Sequence, residues 1–388
     1  MTEWKTYRLK DVTSILGDGL HGTPVYDENG DVFFINGNNL ENGHINIKSN
    51  TKRVSTEEAA KYRKPLNDRT ILVSINGTIG NVGKYNNENC ILGKSACYFN
   101  VAEDFDYDFI YYVIANDIFK NTISRLATGT TIKNVSLETM RNYTFCAPDI
   151  TTQRRISKIL SAIDDKIENN RRINTNLELQ AQALYKQWFV DNRNDDWEEI
   201  KLGDIIEISK KSITPSQSEN TIFEHYSLPA FDDGIQPVFE KGKDIKSSKF
   251  IVEQNMFLFS KLNPRIKRIW LPNIQTENAI CSTEFIPYKP KDIAMFGFCY
   301  SIVNSDSFYE YVLSLTNGST GSHQRFHPID TLNYELMIPN NDYIAKFEEL
   351  VMPIYRTIAR NRIECKKLAT LRDTLLPKLM NGEIKIAE

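Results

Sequence analysis

Leu160-Ser161-Ala162-Ile163-Asp164-Asp165-Lys166-Ile167-Glu168-Asn169-Asn170 opens a stretch whose spacing decides the fold. From Leu160 the positions Ile163, Ile167, Asn170, Asn174, Leu177, Ala181, Leu184 and Trp188 follow in alternating steps of three and four. A repeat of 3.5 residues returns these side chains to one narrow stripe of a helix and leaves the other faces polar, which is the pattern of a coiled-coil seam. The helix is read from Thr152 to Val190, 39 residues, or roughly 58 Å at ~1.5 Å per residue. Late in the chain the register returns: Val351, Ile354, Ile358, Asn361, Cys365, Leu368, Arg372, Leu375 and Leu379. Asn170 and Asn361 hold the same seam position, where a polar side chain costs stability and fixes register. Two arrangements satisfy these seams. Each helix can pack on its own globule with its asparagine solvated, or the two helices can pair, which hides both seams at once. Pro353 predicts a separate turn or a kinked entry over Tyr343–Met352, because an interior proline removes a backbone hydrogen bond. Pro377 followed by Asn381-Gly382 predicts the stop.

Outward from the helices, the chain is written twice. Trp4, Leu9 and Asp11 return as Trp197, Leu202 and Asp204 at an offset of 193, and Ile167-Glu168-Asn169-Asn170-Arg171 returns as Ile358-Ala359-Arg360-Asn361-Arg362 at 191. Between these anchors the halves diverge, apart from a Gly/Ser/Thr-rich loop, Thr128-Gly129-Thr130-Thr131 beside Gly318-Ser319-Thr320-Gly321-Ser322. Each half therefore divides into a globule and a helix: 1–148 and 149–193, then 194–340 and 341–382. The globules are rich in Ile, Val, Phe and Tyr, with Asn-Gly turns at 29–30, 36–37, 42–43 and 76–77. Ile71–Ile75 and Phe257–Ser260 read as strands, and Tyr107–Phe119 and Ser307–Leu315 as short helices. The fold class is α+β, with mixed strands in each globule.

At 388 residues, 41% hydrophobic and 25% charged, the chain is a multidomain globular protein rather than a disordered or fibrous one. It has no apolar run of membrane-spanning length and no basic-then-apolar start, so the expectation is a cytoplasmic protein with no membrane association. Cys90, Cys97, Cys146, Cys281, Cys299 and Cys365 form no C-x-x-C pair, which excludes zinc-finger and thioredoxin-type readings and predicts reduced, mostly buried thiols. Gly93-Lys94-Ser95 lacks the first glycine of a phosphate loop, Glu88 standing in its place. His21, His44, His225, His323 and His327 have no metal-ligand spacing, and no Pro-Pro pair exists for an adenine-methylating loop. No catalytic residue and no metal ligand is assigned.

The net charge is −3, and segments 1–150, 151–196, 197–342 and 343–388 carry −2, +1, −5 and +3. Cations nevertheless cluster. Lys241, Lys243, Lys246, Lys249, Lys261, Arg265, Lys267 and Arg268 stand against two acids, and Lys48, Lys52, Arg53, Lys61, Arg63, Lys64 and Arg69 against three. Such patches suit phosphate contacts, with neighbouring Asn, Gln and Arg available for base edges. Read as a strand, Arg265–Trp270 would put Arg265 and Lys267 on one side.

With these elements in place, the chain resembles over its whole length the DNA-specificity subunit of type I restriction–modification systems. The likeness rests on Gln153-Arg154-Arg155-Ile156 through Ala181-Gln182-Ala183-Leu184-Tyr185-Lys186-Gln187-Trp188-Phe189-Val190-Asp191, and on Leu371-Arg372-Asp373-Thr374-Leu375-Leu376-Pro377 through Ile384; both resemble the family's helical spacers. Ile71–Lys84, with Gly77-Thr78-Ile79-Gly80, and Phe257–Trp270, with Lys261-Leu262-Asn263-Pro264-Arg265, look like the cores of its target-recognition domains. The resemblance implies two recognition domains, each reading one half of an asymmetric split target in double-stranded DNA. Between them an antiparallel coiled coil would set the gap and dock two methyltransferase (modification) subunits. S-adenosylmethionine would come with those partners, ATP and magnesium with optional motor-nuclease (restriction) subunits, and this chain would hold no cofactor.

The candidate DNA-binding residues are Lys52, Arg53, Lys61, Arg63, Lys64, Thr78, Lys84, Thr130 and Lys133 in the first globule. In the second they are Lys261, Arg265, Lys267, Arg268, Ser322, Gln324 and Arg325. The candidate helix-pair interface is Leu160, Ile163, Ile167, Asn170, Leu177, Leu184 and Trp188 against Ile354, Ile358, Asn361, Leu368, Leu375 and Leu379. The competing reading is a coiled-coil scaffold that joins partner proteins without reading DNA sequence.

Overall fold

The computed structural model describes residues 4–129, 133–316 and 324–384. It divides into two compact units, 1–165 with 369–388 and 166–368. The repeated Leu…Asp motif has the same structural cause in each. An edge strand enters first, Lys5–Arg8 antiparallel to Thr144–Ala147 in one unit and Glu198–Lys201 antiparallel to Glu335–Ile338 in the other. The chain then turns: the Arg8 N–H donates to Asp11 Oδ2 at 2.9 Å and the Lys201 N–H to Asp204 Oδ2 at 2.8 Å. Leu9 and Leu202 donate their N–H groups to the carbonyls of Tyr143 and Tyr334, both at 2.8 Å, and bury their side chains. The turn needs a short carboxylate three residues on, which satisfies an otherwise orphaned donor, and an apolar side chain to enter the core.

Each unit has an antiparallel four-stranded sheet at its centre. In the first the order is Thr13–Asp18, Ala96–Val101, Thr70–Ser74, Val82–Lys84; in the second it is Ile206–Ile208, Phe285–Pro290, Phe257–Ser260, Ile269–Trp270. Thr70–Ser74 and Phe257–Ser260 are buried at every residue, as expected of central strands covered on both faces. Beside each lies a second sheet built on a parallel pair, Val32–Ile35 with Cys90–Leu92 and Ile222–Tyr226 with Ala279–Cys281. The Asn42-Gly43 turn expected from the sequence closes the hairpin of Leu40–Glu41 with His44–Ile45, both turn residues having positive φ (52° and 82°). Among its short helices, each globule has two that follow one another directly. The helix read over Tyr107–Phe119 is in fact two, Tyr107–Ala115 and Asp117–Leu126, because the Asn116 side chain accepts the Ile118 N–H at 2.9 Å and starts a new helix. Ser305 makes the corresponding break between Phe296–Asn304 and Asp306–Ser314.

The long helices run Ile150–Tyr185 and Asn341–Met380. Asp149 begins the first by accepting from the N–H groups of Thr151 and Thr152, which hold its carboxyl below the ordinary range. Past Tyr185 the helix widens into one π-type turn, Lys186–Asp191. No separate turn stands before Pro353: the second helix is continuous through both prolines. Pro353 is on an exposed face, where water can take up the backbone group its ring frees. The stop after Pro377 is present, with Gly382 at φ +74°, so close to Trp4 that a Cβ there would meet its Nε1 at 2.8 Å.

Of the two arrangements left open by the seams, pairing is the one present: Asn170 and Asn361 are buried rather than solvated. In the unit 166–368 the helices run antiparallel. Asn361 Nδ2 donates to Asn174 Oδ1 at 2.9 Å, Asn170 Nδ2 to Glu364 Oε2 at 2.9 Å, and Arg362 forms an ion pair with Glu178 at 2.7 Å. The partner of Asn361 is thus Asn174 rather than Asn170. In the other unit Arg372, a charge at a seam position, donates to Asp164 at 2.8 Å, and Asp164 also accepts from Tyr112 Oη at 2.7 Å. The helix ends pack on globules. Ile156 and Leu160 from the first helix and Leu376 and Leu379 from the second join the core around Ile71, Phe99 and Phe109. Ala181, Tyr185 and Phe189 with Phe347, Val351, Tyr355 and Ile358 join the core around Phe257, Phe259 and Phe298. Each unit is closed by the start of the helix that follows its own globule and by the end of the other helix. That is one architecture, circularly arranged.

The buried asparagine pair gives a direct test of the seam. Asn361→Leu leaves Asn174 Oδ1 buried without its donor and is expected to cost about 1–3 kcal/mol. Asn174→Leu combined with Asn361→Leu should recover most of that loss. Urea unfolding followed by helical circular dichroism measures both; additive losses would mean the two residues are not coupled.

Candidate nucleic-acid interface

In the first unit the candidate cations divide by their partners. Lys61 pairs with Glu58 at 2.6 Å, and this contact holds the Glu58 carboxyl below and the Lys61 ammonium above their ordinary ranges. Arg63 donates to Asn89 Oδ1 at 2.9 Å. Lys84 is half-buried, ion-paired to Asp108 at 2.6 Å and 4.3 Å from the Tyr111 ring centroid. Lys52 and Arg53 are exposed and lie over the rings of Tyr26 and Phe33, at 5.8 and 4.8 Å. An exposed cation stacked on an aromatic ring keeps its hydrogen-bond donors available to a second partner. Lys64 is half-buried.

Thr78 and Lys133 belong to a different place. The Ser74 hydroxyl donates to the Thr78 carbonyl, the Ile75 N–H to Ser95 O at 2.9 Å, and the Val135 N–H to Ile75 O at 2.8 Å, while Asn76 bridges Asn134. Three loops thus meet at one end of the four-stranded sheet and bring exposed Thr78 and Lys133 to it. Lys94, in the Gly93-Lys94-Ser95 segment that lacks the first glycine of a phosphate loop, is exposed on the third loop, next to Ser95. Thr130 lies outside the described residues.

The second unit repeats this end. The Lys261 N–H donates to Glu284 O at 2.9 Å and the Asn263 N–H to Gln324 O at 3.0 Å, which joins the loops 261–268, 282–284 and 324–326. Lys261, Arg265, Gln324 and Arg325 are thereby carried on joined loops, with Arg265 exposed. Ser322 lies outside the described residues. The strand expected over Arg265–Trp270 is corrected: only Ile269–Trp270 is extended, and 261–268 is a turn in which the Ile266 N–H donates to Asn263 O and Asn263 adopts φ +51°. Alternation therefore does not apply there. Lys267 turns inward, its Nζ donating to Asn304 O at 2.6 Å at the end of the helix Phe296–Asn304, and burial pulls its ammonium below the ordinary range. Arg268 is held by Asp232 through both Nε (2.7 Å) and Nη2 (2.9 Å), with its side chain 11% exposed. Local sequence could not reveal these partners, which lie 36 to 37 residues away.

Of the candidate helix-pair residues, Leu160 and Leu379 lie in the first unit's core, with Leu375 packed against it, and Ile163 is half-buried in the same unit. Ile358 lies in the second unit's core, and Leu177, Leu184, Trp188 and Ile354 pack against it; Ile167, Asn170 and Asn361 are buried and Leu368 is half-buried in that unit. Burial pushes the Cys90 thiol up to about 12 and those of Cys97, Cys281 and Cys299 higher still, so these four remain protonated. Among the described residues no three His, Cys, Asp or Glu side chains are grouped as a metal site, and no helix is long and apolar enough to cross a membrane.

Comparison with known proteins agrees with this architecture. Residues 1–179 match the type I restriction modification DNA specificity domain. The chain is 24% identical to the specificity subunit of the type I restriction enzyme MjaIX of Methanocaldococcus jannaschii, a similarity that covers 100% of this chain and 94% of that one. It is also 24% identical to the specificity subunit of the HindI enzyme of Haemophilus influenzae, over 66% and 72% of the two chains. The crystal structure of the type I restriction-modification system S subunit from M. genitalium shares the fold, with a TM-score of 0.63 at 17% identity, over 100% of this chain and 97% of that one. Over residues 1–179 the chain thus carries the match to the type I restriction–modification DNA specificity domain, and over its whole length it is similar to the specificity subunits of such systems.

Proposed function

We propose that the chain reads a bipartite, asymmetric target in double-stranded DNA, one half-site by the globule 1–148 and the other by the globule 194–340. The helical segments 149–193 and 341–382 set the gap between the half-sites and dock two modification subunits. Those partners bring S-adenosylmethionine, and restriction subunits, where present, bring ATP and magnesium. The observation that carries the reading is the repeated frame with unlike loops. The same strand pairings and capped turns recur in both units, yet the sheet end that joins three loops carries Thr78, Lys94 and Lys133 in one and Lys261, Arg265 and Arg325 in the other. A frame held constant while its loops change is what two readers of different short sequences need.

Each reader sees only a few base pairs, at ~1–3 kcal/mol of discrimination per good bidentate contact. Tethering two of them makes the second encounter intramolecular, so their preferences multiply. Helices of 36 and 40 residues are about 54 and 60 Å long at ~1.5 Å per residue, enough to span one DNA turn of about 34–36 Å. The acidic total charge is compatible with DNA because partner subunits can complete the basic surface. The test is to map methylated adenines in DNA exposed to the complex assembled with its modification subunits. Two unlike half-sites at a fixed gap are expected; one continuous or palindromic motif would overturn the reading.

A further inference from the structure

One side chain at the second unit's loop end is set up differently from its neighbours. Arg325 forks onto Glu284, Nε to Oε2 at 3.2 Å and Nη2 to Oε1 at 2.9 Å, and its side chain is still 51% exposed. Arg268 makes the same kind of fork with Asp232 but is largely covered, at 11% exposure, which leaves little of its guanidinium for another partner. Glu284 is itself fixed, since its carbonyl accepts the Lys261 N–H at 2.9 Å and its own N–H donates to Ser282 Oγ at 3.3 Å. The fork uses the Nε–Nη2 side of the guanidinium. The opposite end, with both Nη1 hydrogens and the second Nη2 hydrogen, stays directed away from the carboxylate.

We propose that Arg325 reads a guanine in the half-site of the globule 194–340, and that Glu284 is its positioning residue; this rests on the reading that this globule faces DNA. The end of a guanidinium presents two parallel donors at the spacing of guanine O6 and N7. The carboxylate behind it fixes the plane in advance, which lowers the ordering cost of a long side chain on binding. The same carboxylate argues against a phosphate role. It offsets much of the arginine's charge, and charge is what a backbone contact uses, while it leaves the directional hydrogen bonds intact. Among the described residues the first unit shows no such fork at the matching place. There the Ile75 N–H donates to Ser95 O, and the Ser95 hydroxyl, standing where Glu284 stands, donates to Asn36 Oδ1 at 2.9 Å. With Ser95 in place of Glu284, that position supplies no carboxylate for an arginine to fork onto.

The test is methylation-site mapping with the assembled complex on DNA randomised across the target. Arg325→Ala is expected to remove the preference for guanine at one position, on the order of ten- to hundred-fold, with the gap and the half-site of 1–148 unchanged. Arg325→Lys should lose it as well, because an ammonium cannot fork. Glu284→Gln should weaken the same position and no other. Retention of the 1–148 half-site reports that each variant has folded, and Arg325→Lys gives the answer if Arg325→Ala does not assemble. An unchanged motif would overturn the proposal. So would uniform weakening across all sequences with a salt slope reduced by about one, the mark of a phosphate contact. If the parent complex itself gives one continuous motif, the two-reader scheme fails, while loss of a single guanine from that motif would still support the fork.

Discussion

Seven residues added to each long helix, after Asp165 in the first and after Leu368 in the second, are expected to lengthen the gap by about three base pairs and leave the bases read unchanged. A heptad returns every seam residue to its face and adds about 10 Å at ~1.5 Å per residue, against ~3.4 Å per base pair. Both insertions fall between matched anchors of the helix pair, Asn170 with Glu364 in one unit and Asp164 with Arg372 in the other. They also coincide with the boundary between the two compact units, so neither globule's core is cut. An insertion confined to the first helix is different. Four residues between Asn170 and Asn174 would carry Asn174 about one turn away from Asn361, leaving both asparagines buried without partners at ~1–3 kcal/mol each, and would break the heptad phase. Methylated-adenine mapping decides the matter: an unchanged gap with matched insertions would remove the helices from the gap-setting role.

Exchanging 197–340 for the corresponding globule of a relative should change one half-site completely and leave the other and the gap as they were. The graft must still fit this chain's helices. Phe298 lies 4.6 Å from the Phe189 ring and 6.4 Å from that of Tyr185, and Phe189 in turn meets Phe347 edge to face at 4.9 Å. Glu348 accepts the N–H groups of Gly297 and Phe298, at 3.1 and 2.7 Å, and so caps the start of the helix that carries Phe298. A donor that lacks an aromatic at the Phe298 position should assemble poorly for a packing reason unrelated to DNA. Phe347→Ala provides the calibration: truncating this fully buried ring should cost ~3–5 kcal/mol, read from urea unfolding. Movement of both half-sites after a well-folded exchange would refute the modular arrangement.

The matching turns also explain why the duplication was legible at some positions and not at others. Leu9 and Leu202, with Asp11 and Asp204, do the same work in each unit, one entering the core and the other satisfying a backbone donor, so both survive in a sequence whose loops have diverged. Asn116 and Ser305 perform one task with different side chains, and sequence comparison of the halves passes over them.

Residue spacing alone determined the two long helices, their polar seam and the twofold writing of the chain, because helical periodicity and hydrophobic patterning are properties of near neighbours along the backbone. Only the tertiary structure decided that Asn361 meets Asn174, that helix ends and helix middles pack on different things, and that the second helix continues through Pro353. It alone separated cations held inside, such as Lys267 on Asn304 and Arg268 on Asp232, from those presented outward, such as Arg265 and the outer edge of Arg325. A charge becomes structural or available according to which partner the fold brings within about 3 Å of it. Those partners lie tens of residues away, at distances that no local pattern encodes.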